Sequence, residues 1–264
     1  MTYTHGHAES VLRAHRWRNV GNSASYLLAD LIPGRSLLDV GCGPGSLTAD
    51  LAERLAPGRV VGIDSAEEAL AEASELAARS GSSNLEFRHA DVYELPYDDS
   101  SFDLVHAHQL LQHLEHPERA LAEMARVCRA GGVVAARDGD YAGFTWYPAD
   151  PLLDRWLEIY EAVARANGGE PDAGRRLKSW AERAGLENLT CSASVWCFSR
   201  DEDRRWWAGL WAERITATRL AERALELRLA ERAELDSIAA AWQRWSTARD
   251  GWFTVLHGEI RCEV

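Results

Sequence analysis

A short apolar strand that runs straight into glycines limits this chain more than any other feature. Leu38-Asp39-Val40-Gly41-Cys42-Gly43-Pro44-Gly45 sets three glycines at alternate positions, just before a helix-forming run that starts at Ser46. Glycines there permit positive φ and let a ligand approach with no Cβ in the way. The helix behind them offers unpaired N–H groups at its start. The spacing departs from the dinucleotide fingerprint Gly-x-Gly-x-x-Gly/Ala, because its third small position, counted from Gly41, falls at Ser46. Asp39 departs further. A carboxylate just before the first glycine suits a pyrophosphate poorly and suits an ammonium, such as that of a methionine moiety, well.

Around this loop strands alternate with helices. Residues 36–40, 60–63, 85–90, 102–107 and 133–137 read as strands; 46–55, 66–79 and a helix opened by Pro117 and closed by Gly131-Gly132 read as the helices between them. Ser65 and Glu68 fit a capping box for the helix over 66–79. This alternation predicts parallel βαβ units with helices on both faces of the sheet. Residues 8–31 read as a helix broken at Gly21-Asn22. Past Asp138 the sequence predicts helices over 151–166 and 173–184, a strand over 189–198, a helix-rich stretch over 201–248 and a last strand over 253–264. The organisation expected is a single domain over 1–264, with an N-terminal helical segment (1–35), a cofactor-binding core (36–140) and a substrate-side half (141–264).

Two more acids stand at strand ends. Asp64, 23 residues after Gly41, can accept hydrogen bonds from both hydroxyls of a ribose, although an acid at a helix start is favoured without any ligand. Asp91-Val92 follow the third strand, the acid suited to an adenine amino group and the valine to its ring; a plain turn also favours Asp. The stretch 95–105, Leu-Pro-Tyr-Asp-Asp-Ser-Ser-Phe-Asp-Leu-Val, then leads through the fourth strand into His106-Ala107-His108-Gln109-Leu110.

In this order and spacing the four blocks resemble the class I S-adenosylmethionine-dependent methyltransferases, in particular the ubiquinone/menaquinone-biosynthesis-like (methyltransferase type 11/25) group. The resemblance is dense over 14–140 and thin beyond; Arg16-Trp17-Arg18-Asn19, followed by Asn22-Ser23-Ala24-Ser25-Tyr26-Leu27-Leu28, resembles a subfamily feature ahead of the loop. It implies an α/β, Rossmann-like seven-stranded methyltransferase sheet of order 3-2-1-4-5-7-6, with its seventh strand antiparallel and a helical cap or insertion. The cofactor, S-adenosyl-L-methionine, would lie at the switch point between strands one and four. Gly41, Gly43 and Gly45, with Cys42 among them, would line its methionine and sulfonium portion. The resemblance further implies Asp64, with Ser65, at the ribose, Asp91 and Val92 at the adenine, His106, Ala107 and His108 on the far side, and Arg18 at the carboxylate.

The activity so implied is transfer of a methyl group to an O, N or C nucleophile of a small molecule by in-line displacement, releasing S-adenosylhomocysteine. A sulfonium leaving group needs no protonation, so positioning is the enzyme's main task. Where a base helps, His108 and Asp140 are the candidates, one just past a strand end and one in the loop after strand five. His106, His108 and His113 equally fit packing or cofactor-contact roles. They do not match a zinc pattern, and the five scattered cysteines hold no CxxC pair, so no metal and no iron–sulfur cluster is expected. Ten of the 11 tryptophans lie beyond residue 145. Core packing absorbs many. Tyr141, Trp146, Trp207 and Trp211, with Trp206, are candidate walls for a flat or apolar acceptor, under a lid whose charged helix over 219–235 faces solvent.

A net charge of -12 and a pI near 5.2 lack the basic footprint of a nucleic-acid enzyme. No apolar run approaches the roughly 20 residues of a membrane span, and residues 1–10 lack a signal-peptide pattern. The expectation is a cytoplasmic enzyme of small molecules, with a homodimer left open. Two rivals stand beside it: a module that holds S-adenosylmethionine without transferring its methyl group, and a nicotinamide-dependent oxidoreductase, which should have a small residue at position 46.

Overall fold

The computed structural model describes residues 14–264. Its strands are β1 (Leu37–Val40), β2 (Val60–Asp64), β3 (Leu85–His89), β4 (Phe102–His108), β5 (Cys128–Gly139), β6 (Thr145–Tyr147), β7 (Leu189–Phe198) and β8 (Trp252–Glu263). The helices are α1 (Ser46–Leu55), α2 (Glu67–Ser80), α3 (Pro117–Val127), α4 (Pro151–Ala166), α5 (Leu177–Arg183), α6 (Asp201–Ala217), α7 (Arg219–Glu226) and α8 (Arg232–Ser246). The strands make one sheet ordered β3-β2-β1-β4-β5-β8, with both β6 and β7 paired to β8. β1 to β5 run parallel, and β8 returns antiparallel to β5. β7 covers one edge of β8 along ten residue pairs, whereas the short β6 takes the end of β8 that β5 leaves open. Setting β6 aside, this is the seven-strand order 3-2-1-4-5-7-6.

Side-chain alternation builds the layers. On β1, Leu37 joins Leu51 and Leu55 of α1 with Leu27, while Leu38 and Val40 face Leu121 and Met124 of α3 and Trp180 of α5. β1 is buried at all four residues, as a central parallel strand covered on both faces must be. A third cluster holds α4, α6, α7 and α8 against Phe198 and Phe253, with Trp156, Trp211 and Trp242 at its centre.

Local boundaries differ where tertiary pairing overrides local signals. α3 stops at Val127 rather than at the glycines, because Cys128 already pairs with Phe102 and Gly131 N–H donates to the Val264 carbonyl at 2.6 Å. The expected long helix over 8–31, broken at Gly21-Asn22, is among the described residues helical at 14–16, a one-turn α-helix at Val20–Ser23 that contains Gly21-Asn22 instead of breaking there, and a 3-10 turn at Ser25–Leu27; its first residues lie outside those described. The Ser65–Glu68 capping box does not form. Asp64 Oδ1 instead accepts from Ala66 N–H at 2.9 Å and starts α2. The helix expected over 173–184 is a 3-10 turn leading into α5. Among the described residues, no helix is long and apolar enough to cross a membrane.

Candidate active site

The carboxyl ends of β1, β2 and β4 meet where strand order reverses, the place open α/β sheets bind ligands. There the three loop glycines all take positive φ: +74° at Gly41, +54° at Gly43 and +84° at Gly45. A Cβ on Gly41 would lie 2.9 Å from Leu110, and one on Gly45 would lie 2.5 Å from the Phe87 ring. The loop therefore needs glycine on both backbone and steric grounds. Gly41 and Cys42 donate to the Ile63 carbonyl at 2.8 and 2.9 Å, which ties the loop to β2. Asp64 completes the clamp, accepting from Gly43 N–H at 2.9 Å through Oδ2.

Asp39 sits deeper. Its carboxylate accepts from Thr48 Oγ1–H at 2.6 Å and pairs with His106 Nδ1 at 2.8 Å, locking α1 and β4 to the loop. Burial, with Asp39 and Asp64 nearby, pushes the Cys42 thiol up. It is a neutral wall of the site.

An outer cavity of about 170 Å³ lies over this loop, walled by Gly41, Gly43, Asp64, Ser65, Arg18 and His108 among others. A small recess behind it adds Asp39 and Cys42. An inner cavity of about 30 Å³ holds Tyr141, Phe144, Trp196, Trp207 and Trp211, and shares His15, Arg18, Gln109 and His113 with the outer one. The structure thus brings Arg18, Asp39, Gly41, Cys42, Gly43, Asp64, Ser65 and His108 to one place, with Tyr141, Trp207 and Trp211 behind a common wall.

His108 is 5% exposed, and neither ring nitrogen has a hydrogen-bond partner. Burial, followed by the cations Arg18 and Arg137, holds its imidazole well below the usual range, so it is neutral at pH 7. A ring nitrogen offers a lone pair to a hydrogen-bond donor placed against it, while the same burial and cations make the ring a weak base.

Other expected residues lie elsewhere. Asp140 is no free base: Arg175 grips both carboxylate oxygens, Arg175 N–H adds a bond at 2.9 Å, and Asp140 lines none of the three cavities. It anchors the loop after β5. Trp146 belongs to β6 and stacks on Phe253 at 5.6 Å, half-buried against the third cluster and not on the inner cavity. His106 and Ala107 are enclosed in β4, where pairing with β1 and β5 keeps them off the cavities. Gly45 turns the chain into α1. Asp91 is exposed and accepts from Tyr93 N–H at 2.9 Å; neither it nor Val92 is among the cavity walls.

His15, Gln109, Trp196 and His257 went unassigned in the sequence. Gln109 stands inside the 106–110 block. Nothing local marks His257, which reaches the site only because β8 inserts between β5 and β7.

Asp138 is fully enclosed. Its Oδ1 accepts from Gln112 N–H at 3.1 Å and its Oδ2 has no partner. Burial lifts its carboxyl to about 7, against the lowering pull of the Gln112 and Leu111 N–H groups and of Arg137 and Arg18. Between about pH 4 and 7 the folded chain keeps a proton that the unfolded chain has lost, so this group makes stability fall as pH rises through that window and level off above it. Asp138→Asn should flatten that part of the curve, read as melting temperature against pH; a variant with the wild-type slope contradicts this assignment.

Comparison with known proteins agrees with this geometry. Residues 38–136 match the family model described as Methyltransferase domain. The chain is 33% identical over 266 residues to an uncharacterized methyltransferase of Schizosaccharomyces pombe, covering 98% of this chain and 95% of that one. It is 27% identical over 277 residues to "Probable methyltransferase ltbC" of Aspergillus luteorubrus, with the same two coverages, 98% and 95%. The YcgJ protein from Bacillus subtilis shares the fold, with a TM-score of 0.57 at 19% identity over 90% of this chain and 96% of that chain. The chain belongs to the class I S-adenosylmethionine-dependent methyltransferases. That membership sets aside the nicotinamide-dependent oxidoreductase.

Proposed function

We propose that this chain transfers a methyl group from S-adenosylmethionine to a small acceptor with a flat, apolar or aromatic body, in keeping with the ubiquinone/menaquinone-like group its sequence resembles. The observation that carries this reading is the pair of cavities with one shared wall, one floored by the glycine loop and Asp64, the other walled by aromatic rings. A backbone cradle where a Cβ would collide, with a carboxylate beside it, fits an adenosyl sulfonium. In this reading Gly41, Gly43 and Cys42 hold its methionine portion, Arg18 its carboxylate and Asp64 its ribose. When bound, it supplies an electrophilic methyl carbon on a sulfur that leaves without protonation.

The chain's own residues then have three tasks. The aromatic walls exclude water and orient the acceptor. Its entry requires them to part, since about 30 Å³ holds little more than a water molecule. Arg18 and Gln109 hold the shared wall in place. Where the acceptor carries a proton on its nucleophile, a ring nitrogen of His108 accepts a hydrogen bond from it, and burial with Arg18 and Arg137 opposes full transfer of that proton. The cytoplasm is the proposed compartment.

The test is incubation with methyl-labelled S-adenosylmethionine and a panel of planar phenols, aromatic acids and heteroaromatic amines. Label in an extracted product supports the proposal; cofactor binding with no label in any product favours the non-catalytic module. With an accepted substrate, Trp207→Phe should raise its KM about tenfold, the order expected for misfit in an apolar pocket, and leave S-adenosylhomocysteine affinity unchanged. An unchanged KM rejects the inner cavity as the acceptor site.

A further inference from the structure

A run of hydrogen bonds leads from Arg18 into the sheet. His257, on β8 and wholly buried, has Nδ1 at 3.1 Å from the Val255 carbonyl. A carbonyl only accepts, so Nδ1 carries the proton. Burial and the cations Arg137 and Arg18 hold this imidazole well below its usual range, so the ring is neutral and Nε2 presents a lone pair. Gln109 Nε2 lies 2.8 Å from it and therefore donates. That choice turns the amide carbonyl toward Arg18, whose Nη2 donates to Oε1. Gln109 holds φ at +50°, uncommon for a residue with a Cβ. Its N–H donates to the Arg137 carbonyl at 2.7 Å. Arg18 in turn lies over the Trp196 ring at 5.9 Å and lines both cavities.

We propose that His257 and Gln109 are positioning residues for the transfer site: the neutral imidazole decides which way the Gln109 amide faces, and the amide carbonyl holds Arg18 in the wall between the cofactor and acceptor cavities. This rests on the proposed function for what the wall separates. The hydrogen-bond directions themselves do not depend on it. An amide's two ends are nearly alike in shape, so packing alone leaves its flip undecided. A reversed amide would set its NH₂ against the guanidinium, donor against donor, and break the Arg18–Gln109 hydrogen bond.

Gln109→Glu tests this, because it keeps the side chain's size and replaces the donor with an acceptor. Two lone pairs then face each other unless His257 gains a second proton. The titratable and charged groups facing His257 are His108 on β4, Arg137 on β5 and Arg18. The two arginines oppose that proton, and the new carboxylate favours it. A folded-state imidazole value raised in this way gives an arrangement present at low pH and lost as pH rises. The variant should therefore bind S-adenosylhomocysteine about tenfold more weakly than wild type at pH 8, the scale of one broken hydrogen bond, and recover toward wild type by pH 6. Its melting temperature without ligand should fall more steeply than wild type's from pH 6 to pH 8. The double variant Gln109→Glu/His257→Phe should lose this extra pH response. Binding and melting profiles parallel to wild type in Gln109→Glu, or an extra response that survives in the double variant, overturn the relay. A wild-type chain that binds no S-adenosylhomocysteine overturns the proposed function instead, and the melting profiles still decide the relay.

Discussion

Asp64→Ala is expected to weaken S-adenosylhomocysteine binding by at least about a hundredfold while the fold survives. The carboxylate has two partners within the chain, Gly43 N–H and Ala66 N–H, both at 2.9 Å. It thus shapes the glycine loop and the start of α2 before any ligand arrives. In the proposed complex it also accepts from the ribose. Hydrogen bonds to a charged group contribute roughly 1.5–3 kcal/mol each, so losing two costs about 3–6 kcal/mol, and each 1.4 kcal/mol is about a factor of ten in affinity. Asp64→Asn keeps the size and one carbonyl acceptor and should fall between the two. Calorimetric titration reads both variants. An alanine variant within threefold of wild type contradicts the role given to Asp64.

Glu259→Leu is expected to remove about 3–5 kcal/mol of stability, the cost of leaving a buried cation unpaired. At roughly 2–4 °C per kcal/mol for a chain near this size, that lowers the melting temperature by about 10 °C. Arg137 and Glu259 are 1% and 4% exposed and pair at 3.2 Å. Ser192 and Ser194 hydroxyls donate to the same carboxylate at 2.6 and 2.5 Å. Burial brings Arg137 down to about 10, which still leaves it charged at pH 7. The joint variant Arg137→Met/Glu259→Leu should recover most of the loss, since well-packed apolar groups can replace a buried pair. Its cost would fall on the site: Arg137 is among the groups that keep His108 and His257 neutral and lies 5.1 Å over the Trp196 ring. A double variant no more stable than Glu259→Leu alone contradicts the pairing argument.

What could be read from the chain depended on how local its cause was. The strands from β1 to β4 were legible to within a residue or two, because short, mostly apolar runs in β1, β2 and β4 and the alternation Leu85-Glu86-Phe87-Arg88 in β3 stand between turn signals. The glycine loop and Asp64 were legible because backbone geometry there depends on adjacent residues. Asp140 was not. Its carboxylate is claimed by Arg175, 35 residues on, and no spacing announces that. Trp207 and Trp146 look alike as sequence, yet α6 carries one to the inner cavity and β6 leaves the other half-buried at the rim of the third cluster. Asp91 satisfies both a turn and an adenine reading, and the turn is what its hydrogen bond to Tyr93 N–H displays. His257 lies 148 residues from the Gln109 it supports, a contact created only by sheet order.

In the proposed function the glycine loop and Asp64 form a seat for an adenosyl sulfonium. Calorimetric titration of the purified chain with S-adenosylhomocysteine tests it most directly. Saturable heat with one site per chain is the expected result; no heat up to millimolar ligand would rule the seat out.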